Sequence, residues 1–147
     1  MTCWSRLGAV EVADLAAHLP SVAWPPVKGG QPNRVRTPPA ALPVVEAILG
    51  RFFGPETTFD RHRACLSRLV PGATYEMHRD PQRREWLTRV HVPVVTNHGA
   101  WMLFEEEGVR VHFEVGVAYS FNTLAAHCYG NDGDADRVHL LFDVMVG

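Results

Sequence analysis

The sequence predicts a mainly β fold, an antiparallel sandwich or barrel with helices packed on its outside. Three observations predict it. Apolar segments of strand length recur after residue 60, turn residues separate them at short intervals, and helix-like periodicity is confined to the first 60 residues. With 147 residues the chain fits one domain, 1–147, read as a helical and loop-rich region, 1–60, followed by a β core, 61–147.

The first region is read as follows. Val10 to Leu19 suits a short helix stopped at Pro20. Pro25 to Pro43 is rich in Pro and Gly and reads as an irregular connection. Ala40 to Phe53 is apolar at helical spacing and stops at Gly54-Pro55. These helices are expected to cover the outer face of the sheet and protect an edge.

The second region reads as strands. Arg63 to Val70 ends at Pro71-Gly72, and the valine-rich stretch Leu87 to Val95 ends at Asn97-His98-Gly99. Trp101 to Phe104 precedes an acidic turn ending in Gly108. Val109, Val111, Phe113 and Val115 alternate with polar residues, which is strand period. Val117 to Phe121 follows Gly116, Asn131 to Asp134 predicts a hairpin turn, and Val138 to Val146 is the last strand.

Composition removes several function classes. Lys and Arg are scattered and the formal net charge is -2, so no basic face for nucleic acid is expected. No apolar run is long enough for a membrane span, and the N-terminus lacks the basic start and apolar run of a signal peptide. Cys3, Cys65 and Cys128 are odd in number, unpatterned and without a CxxC pair, which favours reduced thiols in a cytoplasm over disulfides or cysteine-bound zinc.

The chemistry is carried by the eight histidines, more than this length calls for. His78-Arg79-Asp80 is an HxD. On a strand, i and i+2 point to one side, so an imidazole and a carboxylate can reach one ion together. Far downstream lies His127, just before the Asn131 turn. Two histidines and one carboxylate form the facial triad of non-haem Fe(II) oxygenases, which leaves positions open for an oxo acid and O2. Arg137 follows across the turn. A buried guanidinium there suits the bidentate grip on a carboxylate that 2-oxoglutarate needs. The plainer readings are a polar core for the triad and a surface ion pair with Asp134 or Asp136 for Arg137.

The stretches SRLVPGATYEMHRD, TRVHVPVVTN, FEVGVAYSFNTLAAHCYGN and DRVHLLFDV together resemble the aspartyl/asparaginyl β-hydroxylase family of Fe(II)/2-oxoglutarate dioxygenases, including its bacterial proline cis-hydroxylase relatives. The resemblance runs from about Ser67 to Asp143. It implies a double-stranded β-helix, that is, a jelly roll of cupin-like form, which agrees with the strand reading. It implies that His78, Asp80 and His127 hold the iron. It further implies that Arg137 binds the distal carboxylate of 2-oxoglutarate with help from Ser67. Arg89 and His91 match polar groups near the other end of the oxo acid.

The expected activity is hydroxylation of an amino acid, an amino-acid derivative or a peptide residue, with release of succinate and CO2. Desaturation on the same triad stays open, whereas halogenation is disfavoured because Asp80 fills the position that halide would need. The competing class is a cupin-like sensor module that binds metal and acid without oxidising anything; Arg137 together with the HxD argues against it. Trp101 and Phe104 are candidates for a pocket wall, with core packing as the default. His139 shares the strand face of Arg137 and suits a supporting role. His18, His62, His98 and His112 read as surface or loop residues, and Cys128 as packing.

Overall fold

The computed structural model describes residues 3–80 and 86–147. Its strands are β1 (Trp4–Ala9), β2 (Asn33–Arg36), β3 (Thr57–Phe59), β4 (Cys65–Leu69), β5 (Thr74–His78), β6 (Trp86–Val95), β7 (Ala100–Phe104), β8 (Arg110–Val111), β9 (Val117–Phe121), β10 (His127–Asn131) and β11 (Arg137–Val146). Seven form a large sheet in the order β1-β9-β6-β11-β4-β2, with β3 joined to the far end of β11. Four form a smaller sheet in the order β5-β10-β7-β8. Every pairing is antiparallel. Two stacked antiparallel sheets with non-sequential neighbours make the expected jelly roll.

The pleat of β11 explains the layering. Val138, Leu140, Phe142 and Val144 point one way and are buried against helices α1 (Ala13–His18) and α2 (Leu42–Ile48), packing with Leu15, Val45 and Ile48. Full burial of each such side chain contributes about 1.5–3 kcal/mol. This outer layer therefore holds the large sheet rigid from behind. Arg137, His139, Leu141 and Asp143 point the other way, towards the smaller sheet. A second apolar cluster fills that space, with Leu69, Met102, Phe104, Phe113, Phe121 and Tyr129. The polar side chains of the inner face surround it.

The helical expectations hold with shorter bounds. Helix α1 passes into a tight turn at Leu19–Ser21 that contains Pro20. Helix α2 widens through Leu49–Phe53 and stops at Gly54, whose N–H reaches the Leu49 carbonyl at 2.8 Å and whose φ is +98°. The φ value is one that only glycine adopts without cost.

Three features differ from the sequence reading. Residues 1–60 also supply β1, β2 and β3 to the large sheet. These strands are short or lie at an edge, so they show no clean alternation: Asn33–Arg36 holds a single apolar residue, Val35. The Asn131–Asp134 turn does not close a hairpin, because β10 pairs with β5 and β7 while β11 pairs with β3, β4 and β6. Turn residues encode a reversal of direction but not which neighbour the strand takes. Finally, the alternation from Val109 to Val115 yields only the two-residue β8, since Gly108 and Gly116 take positive φ on either side. Phe113 is buried and Val109 and Val115 are exposed.

Candidate metal and oxo-acid site

His78 ends β5 and His127 begins β10, and the two are direct partners across that antiparallel pair. Their rings lie 4.4 Å apart between centroids. Asp80, two residues beyond His78, is set by its backbone N–H bond to the Thr123 carbonyl at 3.0 Å. One ligand atom from each of the three residues falls within 4.8 Å of the others. The His78 Nε2 lies 3.6 Å and the His127 Nε2 3.4 Å from the Asp80 carboxylate.

Both rings are oriented by the backbone. His78 Nδ1 is 2.7 Å from the Glu76 carbonyl, and His127 Nδ1 is 2.8 Å from the Ala125 carbonyl. A carbonyl only accepts, so each Nδ1 carries the proton and donates it. Each Nε2 is then left with its lone pair directed at the Asp80 side. This is the arrangement by which outer hydrogen bonds prepare histidines for a metal. Two imidazoles and one carboxylate, with no thiolate, suit an Fe(II) that keeps open positions.

Asp80 is held by a chain of charge. Arg89 Nη1 donates to its Oδ2 at 2.9 Å, while Arg89 Nε and Nη2 grip Asp143 at 2.8 and 3.2 Å. Burial pushes the Asp80 carboxyl up, but the nearby His127 ring and the charge of Arg89 outweigh it, so the group stays below the usual carboxylate range. The expected place of Arg89, at the oxo acid, is thus modified: its donors are taken by Asp80 and Asp143. The ligand motifs do not single out Asp143. The signal was there, since Asp143 is the one acid in the apolar run LLFDVMV.

Arg137 is 2% exposed, which removes a surface ion pair with Asp134 or Asp136. It lies over the Tyr129 ring at 5.1 Å, yet its Nε and Nη1 find no hydrogen-bond partner. The buried Ser67 Oγ is likewise unpartnered. Desolvation lowers the Arg137 pKa to about 10. Orphaned donors of this kind are rare in a folded protein and call for an anionic ligand. Ser67 pairs with His139 across β4 and β11, and Arg137 pairs with Leu69 two rows away. Hydroxyl and guanidinium therefore share one face of the sheet.

His91 and His139 lie on the same inner face. Their Nδ1 atoms are 3.3 Å apart, and His91 stacks on Phe121 at 4.0 Å. Burial keeps both rings neutral, with pKa values well below the usual histidine range. One Nδ1 then donates and the other accepts.

The two pocket candidates separate. Phe104 is fully buried between the sheets, 5.8 Å from the His127 ring. Trp101 sits on the opposite face of β7, where its indole covers Gly130 and bonds Asp132 at 3.1 Å, with Arg110 over its ring. It does not line the site, because adjacent strand positions face opposite sides. Among the described residues the metal-ligating cluster comprises His78, Asp80 and His127, so Cys128 and the other histidines stay outside it.

The family model for aspartyl/asparaginyl β-hydroxylase matches residues 28–146. The chain belongs to that family, and it is an Fe(II)- and 2-oxoglutarate-dependent oxygenase. No curated protein matches it by sequence. Among solved structures, it is similar to a viral collagen prolyl hydroxylase of Paramecium bursaria Chlorella virus-1 in complex with 2-oxoglutarate, with TM-score 0.69, 10% identity, and coverage of 99% of this chain and 97% of that one. A 2-oxoglutarate-Fe(II) oxygenase family protein of Burkholderia pseudomallei gives TM-score 0.69 at 14% identity, covering 97% and 84%. A prolyl-4-hydroxylase of Pseudomonas putida gives 0.67 at 18% identity, covering 99% and 93%. At these identities the likenesses establish the fold.

Proposed function

We propose that this oxygenase hydroxylates an amino acid, an amino-acid derivative or a peptide residue, with release of succinate and CO2. The observation that carries the oxo-acid half is the unpartnered pair Arg137 and Ser67, buried beyond a two-histidine, one-carboxylate set. A sensor module has no need of both a facial triad and a buried carboxylate grip. The family match supports hydroxylation over desaturation, and two of the structurally similar proteins are prolyl hydroxylases, which supports an amino-acid or peptidyl substrate.

In this reading His78, Asp80 and His127 hold the iron. When bound there, Fe(II) with 2-oxoglutarate supplies the activation of O2 that hydroxylation requires. The chain's own contribution is binding and orientation. Arg137 takes the distal carboxylate through Nε and Nη1, with Ser67 Oγ donating to the same group. Tyr129 packs under the guanidinium and fixes its plane. Arg89 holds the Asp80 carboxylate ionised and aligned. His91 and Phe104 exclude water between the two ends of the site, where an oxidant must not be quenched by solvent. The cytoplasmic setting expected from the unpatterned cysteines belongs to the same proposal.

The test is conversion of 2-oxoglutarate to succinate. We expect it to require Fe(II) and O2 and to be abolished in His78→Ala. Iron-dependent turnover that persists in that variant would overturn the ligand assignment.

A further inference from the structure

We propose that Arg36 and Arg63 form an anion-recognition wall beside the triad and bind a carboxylate or phosphate carried by the substrate. The inference rests on the oxygenase reading above and adds the class of substrate. A cavity of about 350 Å³ opens against the inner face of the large sheet, and its charged lining includes Arg34, Arg36, Arg63, Arg89 and Asp143. It is contiguous with the metal site, because Arg89 lines it and touches Asp80 at 2.9 Å.

Strand register explains why the arginines gather there. Arg34 pairs with Ser67 and Arg36 with Cys65 across β2 and β4; Cys65 in turn pairs with Leu141, and Leu141 with His91. Cross-strand partners share a face, so Arg34 and Arg36 extend the inner face that carries Ser67, His139 and His91. β2 is the edge strand, which places these two residues at the open side of the sandwich.

The four guanidinium groups are not equivalent. Arg89 is neutralised by Asp143 and Asp80. Arg34 reaches the Tyr129 hydroxyl at 3.4 Å. Arg63 stacks on the Trp86 ring at 5.4 Å, a contact that occupies its face and leaves its N–H edge available. The Arg36 side chain makes no hydrogen bond or ion pair among the described residues. The one carboxylate in the lining is already bound to Arg89. The wall thus carries uncompensated positive charge on two groups whose N–H forks match planar or tetrahedral oxyanions.

The experiment is a ligand-observed NMR titration of the full chain loaded with Zn(II) and saturating 2-oxoglutarate. The probes are N-acetylglycine against N-acetylglycinamide, and N-acetylphosphoserine amide against N-acetylserine amide. The expected result is that at least one anion binds roughly tenfold more tightly than its neutral partner. Which of the two does so identifies carboxylate or phosphate. In Arg36→Gln/Arg63→Gln the ratio should fall to about one, and in Arg36→Lys/Arg63→Lys part of it should return, both variants being checked for cooperative unfolding. Equal affinity for charged and neutral probes, no binding of any probe, or a ratio unchanged in the glutamine variant would each overturn the proposal. Failure of the oxygenase reading would show separately, as absence of 2-oxoglutarate binding while the anion preference still decides the wall.

Discussion

Asp143 grips the Arg89 guanidinium through two parallel bonds of 2.8 and 3.2 Å, in a pairing where the two residues are also direct cross-strand partners. The remaining corner of Arg89 aligns Asp80. Asp143→Asn keeps the shape but removes the charge, leaving a buried guanidinium with half its compensation. We expect a loss of about 3 kcal/mol in urea unfolding and roughly tenfold weaker Fe(II) affinity. Unchanged metal affinity in a folded variant would show that Arg89 does not orient Asp80.

Arg137 offers a test in which stability and binding move in opposite directions. Its unpartnered Nε and Nη1 make it costly without a ligand. Arg137→Met should therefore raise the stability of the ligand-free protein, by about 1–3 kcal/mol, while removing 2-oxoglutarate binding. Added 2-oxoglutarate should raise the Tm of the wild type and not that of the variant. A variant that loses stability without ligand would indicate that Arg137 is a structural residue.

Asn131 links the strand of His127 to the strand of Arg137. Fully buried, it donates from Nδ2 to the Leu69 and Ala135 carbonyls at 2.9 and 2.8 Å, and its Oδ1 accepts from the Gly133 N–H at 3.1 Å. Asn131→Ala removes these bonds from the Leu69 carbonyl and the Gly133 N–H, while the Ala135 carbonyl keeps the Asn97 Nδ2 donor at 2.7 Å. A loss of about 2–3 kcal/mol is expected by chemical denaturation, with a raised KM for 2-oxoglutarate because Arg137 follows the turn. A KM equal to that of the wild type would separate the turn from the site.

The His91–His139 pair sets a pH dependence. Both rings have folded-state pKa values well below 6.5, chiefly through burial. Below pH 6.5 the unfolded chain binds protons that the folded chain refuses, so stability is full above that pH and declines as pH falls. The slope is about 1.4 kcal/mol per pH unit for each ring and about 2.7 for the two. Unfolding free energies measured between pH 7.5 and 5 should show it, and His139→Asn should remove about half. A flat profile would mean that the rings take up protons in the folded state.

Much of the site could be read from sequence because its ligands carry a period. His78 and Asp80 sit at strand spacing, and the geometry brings His127 to them. The long strands were legible for the same reason: Val138, Leu140, Phe142 and Val144 mark one face without ambiguity. Residues 1–60 hid three strands because edge segments such as Asn33–Arg36 are held by backbone pairing and need no apolar stripe. The turn after His127 is legible in the sequence, but its partner strands are not, since sheet membership is decided by distant packing. The motif marks Arg89, but what it bonds depends on Asp143, which lies far along the chain and enters only through the β6–β11 register.

The direct pairing of His78 with His127 has a consequence for how the protein matures. A slip of one residue between β5 and β10 would turn one imidazole to the outside and dismantle the triad. Arg89, Asp143 and Arg137 lie on other strands, so the assembled centre appears only once both sheets have met in register. Joint binding of metal and oxo acid thus requires the small sheet in register and the large sheet docked against it.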